Sequence, residues 1–397
     1  MSRAFRHGAV RAAVAMVIVA SAAPSLFKPS NPHHLEAARG ILGASVWVDP
    51  PAELHDFGEI GGRFFVPFPP LPAVLGIVAV LSPWPDVVFN SVVVLAAVAS
   101  VLLAGRLGDR WGGPFAGTWA SAALGLGSGL WSAAVIHDTY HSAHVLAVLA
   151  VTAALWLGTV RPIRPVAAGL VIGLGALARQ AVILGVPALA AVTASSLSEG
   201  RRRRTMALLL AAVCLMLAYP ALNWIRFGSP VTTGYGLVHH HPAIAADVAA
   251  HGAFSPAFVG RNLSIMLTAG PLQVEVPPYL LPDPRGMSVL LVSPWLLLAV
   301  LPLVRPDHPG ARSNAAWCWL AAGLVAVPHL LYVNTGWLQF GYRFALDWLP
   351  FMLLAAVLGI RGRSPWISMP PLAAAILVNL WGVAAYLCWD HWSQLVR

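Results

Sequence analysis

Long apolar runs, each close to twenty residues and nearly free of charge, recur from one end of this chain to the other. A helix needs about 20 such residues to cross the hydrocarbon core of a bilayer. Composition agrees: 58% of the 397 residues are hydrophobic, 10% are charged, and the mean hydropathy is +0.74. Soluble domains carry roughly 25% charged residues, so a water-soluble fold could not cover this much apolar surface. The expected fold is all-α, a polytopic membrane protein forming one membrane-embedded domain over residues 1–397, with no soluble C-terminal domain. Cys214, Cys318 and Cys388 sit in or beside apolar runs without ligand spacing and read as small hydrophobes.

The first run, Gly8 to about Leu26, follows Arg3 and Arg6 and is expected to be a retained anchor with a cytoplasmic N-terminus. The small residues at Ala20–Ala23 also suit a signal-peptide cleavage site. Pro165–Leu197 is too long for one span, at about 50 Å as a single helix. Two short helices meeting near Arg179 resolve this and place that arginine at the outer surface. Pro67–Ser82, which opens on four prolines, reads as a half-inserted helix. About eleven spans result, with outer loops at about 28–86 and 222–287.

Charge supports this topology. Fifteen of the 24 basic residues, including Arg201–Arg204, fall in short cytoplasmic loops, and nine, Arg397 among them, fall outside. Twelve of the fifteen acids lie on the outer side. The net charge of +9 is therefore mainly a topology signal, and no nucleic-acid partner is expected. Chemistry belongs on the outer face of a cell membrane.

Several stretches there occur in a telling order. They run from Asn31-Pro-His33-His34 through Asp49-Pro-Pro and His55-Asp56-Phe-Gly-Glu59 to the Pro69-Pro70 helix start. Further along come Ala143-His144-Val145, Gly173-Leu-Gly-Ala-Leu-Ala-Arg179, Asn223-Trp-Ile-Arg226-Phe-Gly-Ser-Pro230 and Arg261-Asn262-Leu263. Ser293-Pro-Trp295 and Gly341-Tyr-Arg343-Phe-Ala-Leu-Asp347-Trp-Leu-Pro350 complete the series. Together they resemble the GT-C superfamily of integral-membrane glycosyltransferases, and in particular a bacterial branch near the protein O-mannosyltransferases and the aminoarabinose transferase of lipid A. The resemblance implies transfer of a sugar from a polyprenyl-phosphate donor to an extracytoplasmic glycan, lipid or protein acceptor, with inversion. Such a reaction needs a carboxylate base and cations to hold the leaving phosphate.

Relatives usually carry an aspartate shortly after the first span, where this chain has Asn31. Asparagine is no general base, so either Asp56 or Glu36 takes that role or the chain is a transferase-like scaffold without catalysis. Arg179, Arg226 and Arg343 are the candidate donor-phosphate ligands. Asp347 is grouped with them because it is four residues from Arg343, on the same helical face, and would orient it. His33, Asp138, His141 and His144 are candidate cavity-lining residues. No cofactor is assigned; a divalent metal is possible, and His239-His240-His241 is the segment that invites it, although adjacent histidines in an extended segment point to alternating sides. A transporter or flippase for a lipid-linked or small substrate is the rival function, but no internal repeat is visible and the polar residues gather at one face.

Overall fold

The computed structural model describes residues 3–388; Arg397 and the side chains of Arg3 and Arg6 lie outside the described residues. Among the described residues, six helices are each long and apolar enough to cross a membrane: His7–Ser25, Pro85–Gly112, Thr139–Thr159, Arg201–Phe227, Ala311–Leu331 and Pro365–Leu387. Pro114–Gly125 and Leu130–Ile136 form a seventh candidate, bent by 45°. Five shorter apolar helices accompany them: Leu71–Val80, Pro165–Ala178, Gln180–Ser196, Pro294–Val304 and Leu349–Ile360. The chain is thus an all-α polytopic membrane protein. Length and composition support up to seven spans, and the expected eleven are reached only if the last four short helices also cross.

Local sequence sets the breaks. Pro85, Pro114, Pro165 and Pro365 each begin a helix, where proline's missing amide costs no intrahelical bond. Between two of these helices Gly113 adopts φ +85°, a conformation glycine reaches without steric cost. The Pro165–Leu197 stretch divides at Arg179, whose backbone is extended between Pro165–Ala178 and the 3-10 turn Gln180–Gly185.

Helices approach closely where side chains vanish. A Cβ on Gly169 would lie 2.2 Å from the Leu208 carbonyl oxygen, so the Pro165–Ala178 and Arg201–Met216 helices touch backbone to backbone. Leu349–Ile360 is buried at every position and packs against Ala311–Leu331, Pro294–Val300 and Pro85–Gly112. Its twelve residues, about 18 Å of helix, are surrounded by protein on all sides.

The two long loops fold onto each other. In the first, Pro32–Leu42 is helical and Gly58–Ile60 pairs antiparallel with Arg63–Phe65. Gly58 then bridges to Val238 of the second loop, and Asp56 N–H donates to the His239 carbonyl while His239 N–H donates to that of Phe57. This ladder fixes the position of Asp56 against the helix ends below.

Candidate active site

A cavity of about 310 Å³ opens beneath the joined loops. Asp56, Arg179 and Arg343, which are 123 to 287 positions apart in the sequence, all line it. Each comes from a place where regular structure stops. Asp56 lies in the first loop at φ +59°, a left-handed conformation that aspartate tolerates better than most residues. Arg179 is the extended residue at the helix break, and Arg343 opens a 3-10 turn, Arg343–Asp347, ahead of the central Leu349–Ile360 helix.

The Asp56 carboxylate accepts a hydrogen bond at Oδ2 from the hydroxyl of Tyr140, in the first turn of Thr139–Thr159. His55 Nε2 is 3.5 Å from the same oxygen. The Tyr140 ring lies under the Arg343 guanidinium, 4.9 Å from its centre, so one tyrosine links the acid to the cation. Arg343 and Arg179 each stand 5.4 Å from the centre of the Phe344 ring. Arg343 donates to the Trp337 carbonyl at 3.3 Å, and its backbone N–H donates to Gln339 Oε1 at 3.0 Å.

Asp347 departs from the sequence reading. Because Arg343–Asp347 is a 3-10 turn rather than α-helix, the two side chains do not form the expected pair. Asp347 is fully buried behind the cavity wall. Its Oδ1 accepts from His144 Nδ1 at 2.6 Å, and its Oδ2 from Arg179 Nε at 3.2 Å. His329 Nε2 is 3.1 Å from Oδ2 as well. Asp347 therefore contacts Arg179 rather than Arg343, and it does not line the cavity.

The other expected candidates are dispersed. Glu36 pairs with Arg39 on its own helix, away from the cavity lining. Arg226 donates to the Val66 carbonyl at 3.0 Å and faces a separate pocket of about 60 Å³, beyond the Phe68–Pro69 segment that both pockets share. His33 stacks on Phe57 with ring centres 4.5 Å apart, and its Nε2 bonds the His55 carbonyl at 3.0 Å, which braces the Asp56 loop from behind. Burial lowers its pKa. Asp138 caps the Thr139–Thr159 helix, accepting from the backbone N–H groups of Tyr140 and His141 and from His141 Nδ1. Burial would raise its pKa, but His141 and the nearby Arg343 outweigh it and hold the carboxyl well below the usual range. Asp138, His141 and His144 thus form the layer behind the wall rather than the wall itself.

Asn31 has a structural explanation. It is fully buried, and its amide donates to Asn90 Oδ1 at 2.9 Å and to the His137 carbonyl at 2.7 Å. A carboxylate could supply neither bond. The position lies outside the cavity lining.

Three groups escaped the sequence reading. Tyr140 sits between Asp138 and His141, both candidate cavity-lining residues. Tyr235 meets Tyr332 and Phe254 edge to face, and a tilted contact between Phe254 and Tyr332 completes an aromatic wall. His329 ends an apolar run; ionisable residues inside such runs are functional candidates by default, and that signal was present. Its carbonyl and those of Leu330 and Tyr332 are held by the Asn262 amide at 3.3, 3.0 and 2.7 Å, so the Arg261-Asn262 pair serves to fix this helix end.

For a metal, the available donors do not fit. Among the described residues no group of three or more His, Cys, Asp or Glu side chains is gathered to hold an ion. His239 faces Glu59, His240 meets the Tyr235 carbonyl, and His241 caps the following helix.

The fold is similar to that of solved structures. The crystal structure of ArnT from Cupriavidus metallidurans in the apo state matches 97% of the chain with a TM-score of 0.53 and 14% identity. An oligosaccharyltransferase from Archaeoglobus fulgidus, tethered with an acceptor peptide containing the NVT sequon, matches 96% with a TM-score of 0.49 and 14% identity. The chain covers 65% and 55% of these two proteins, less than two thirds of each. At this identity the likeness is one of fold. No family model and no curated protein matches the sequence.

Proposed function

We propose that the protein is an inverting membrane glycosyltransferase that moves a sugar from a polyprenyl-phosphate donor to an acceptor hydroxyl on the extracytoplasmic side. The observation that carries this reading is the meeting of one carboxylate and two guanidinium groups in a single cavity. Asp56 is the general base. With Oδ2 engaged by Tyr140, Oδ1 takes the hydroxyl proton as the acceptor oxygen attacks the anomeric carbon. The bond from that carbon to the phosphate oxygen breaks, and its electron pair leaves with the polyprenyl phosphate. Arg179 and Arg343 stabilise the charge that develops there, since fixed guanidinium groups match phosphate geometry and need little reorganisation. The apolar part of the lining, including Ile183, Leu184 and Met216, suits the lipid end of such a donor.

Purified protein given a labelled polyprenyl-phosphate sugar and envelope acceptors should release polyprenyl phosphate. Asp56→Asn is expected to lower the rate about 10²–10⁴-fold, and Arg343→Ala about 10²–10³-fold, with thermal unfolding little changed for Asp56→Asn. Full activity in both variants would refute the assigned roles. Absence of turnover with every donor, by a folded wild-type protein, would refute the transferase reading and favour transport of a lipid-linked substrate.

A further inference from the structure

Tyr140 lines the cavity between Asp56 and Arg343 and presents a different part of itself to each. Its hydroxyl donates to Asp56 Oδ2, and its ring lies under the Arg343 guanidinium, 4.9 Å from the ring centre. Both neighbours line the cavity too, so the three side chains form one continuous stretch of its wall.

The tyrosine is held independently of the two groups it serves. Its backbone N–H donates to Asp138 Oδ1 at 2.9 Å, in the cap of Thr139–Thr159. Its ring meets Phe68 edge to face, with centres 5.8 Å apart, and leans towards His33 at 6.2 Å. The Asp56 loop is likewise fixed elsewhere, by its ladder to His239 and by the bond between His33 Nε2 and the His55 carbonyl. Loss of the Tyr140 hydroxyl therefore leaves the ring and the loop in place. What it frees is the carboxylate itself. Among the described residues no other side chain hydrogen-bonds this group, and His55 Nε2 at 3.5 Å is too far to fix its orientation.

Resting on the transferase reading above, we infer that Tyr140 is a positioning residue with two separable duties: its hydroxyl turns Asp56 Oδ1 towards the acceptor, and its ring face holds the Arg343 guanidinium in place for the donor phosphate. The two duties belong to different atoms, so they come apart on substitution. The hydroxyl also favours the charged form of the base, because a donor bonded to a carboxylate opposes its protonation. The other titratable neighbours of Asp56 are His55, His33, Tyr235 and Tyr332, with Arg343 across the ring. All of them are kept when the hydroxyl alone is removed.

Tyr140→Phe removes the hydroxyl and keeps the ring, whereas Tyr140→Leu removes both. Donor binding, kcat and the pH dependence of kcat/KM are measured with a labelled polyprenyl-phosphate sugar. The proteins compared are wild type, both variants, Asp56→Asn and the double variant Asp56→Asn/Tyr140→Phe. Tyr140→Phe should lower kcat about 10–10²-fold, leave donor affinity unchanged and move the acidic limb of kcat/KM to higher pH. Tyr140→Leu should in addition weaken donor binding about two- to thirtyfold. In the Asp56→Asn background Tyr140→Phe should cost nothing further, because the hydroxyl acts through that carboxylate. An unchanged kcat and acidic limb in Tyr140→Phe overturn the inference and leave the transferase reading intact. Additive losses in the double variant overturn it too, since the hydroxyl would then act by a route other than Asp56. Undiminished donor affinity in Tyr140→Leu overturns the part assigned to the ring. A folded wild type that turns over no donor overturns both the inference and the reading beneath it.

Discussion

Asp347 has no exposed surface, yet it accepts from an arginine and a histidine and faces a second histidine at 3.1 Å. A buried charge is tolerable only with such compensation. Removing one side of a buried pair leaves the other uncompensated and costs about 3–5 kcal/mol. Asp347→Ala is accordingly expected to destabilise the protein by about that amount in thermal or denaturant unfolding in detergent. Replacing Arg179 and Asp347 together by leucine should recover part of the loss, because neither charge is then left alone. Recovery of none of it would mean that Arg179 and Asp347 do not stabilise each other. The sequence places Asp347 four residues from Arg343 and 168 from Arg179. Proximity along the chain suggests the wrong partner because a 3-10 turn rotates successive side chains differently from an α-helix.

At the scale of elements, the Pro32–Leu42 helix carries a built-in pH response. His34 is 1% exposed and its Nε2–H donates to the Thr139 carbonyl at 2.8 Å, tying this loop helix to the start of Thr139–Thr159. Burial pushes its pKa down from 6.5 to about 4, with His33 adding to the depression and the Thr139 bond and Asp138 opposing it. The unfolded chain therefore binds the proton first. The contribution of neutral His34 is complete above pH 6.5, shrinks as pH falls through the window down to about 4, and is gone below it. The linkage is worth about 3 kcal/mol in all. Stability of His34→Gln should fall less steeply than wild type between pH 6.5 and 4; parallel curves would contradict the assignment. Helix boundaries were legible because prolines and glycines punctuate them. The anchoring of this helix was less so, since nothing in the local pattern of His33-His34 distinguishes a buried pair from a solvated one.

For the whole molecule, the arginine distribution gives a directional expectation. Fifteen basic residues cluster in short loops assigned to the cytoplasm, while the cavity belongs to the face carrying residues 28–86 and 222–287. Single cysteines introduced at Arg203 and at His240, in a background with Cys214, Cys318 and Cys388 replaced, test it. The cysteine at position 240 is expected to react with an impermeant thiol reagent in intact cells, and the one at 203 only after lysis. The reverse pattern would invert the orientation and with it the side on which the acceptor is met.

What the sequence determined is what lipid and helix geometry dictate without reference to partners. Apolar runs demand helices, prolines begin them, the excess length of Pro165–Leu197 demands a break, and the break falls at Arg179. Arg179 and Arg343 stood out because charge is expensive near lipid, and Asp56 because the resemblance calls for a carboxylate base that Asn31 cannot supply. The tertiary structure alone decided what each charge faces. It seated Asn31 in a buried amide network, turned Asp347 onto Arg179, left Glu36 and Arg226 outside the cavity, and brought Tyr140 and His329 to its wall. Those outcomes depend on contacts between residues up to 203 positions apart, and pairing across such separations is set by how helices pack, which no local spacing records.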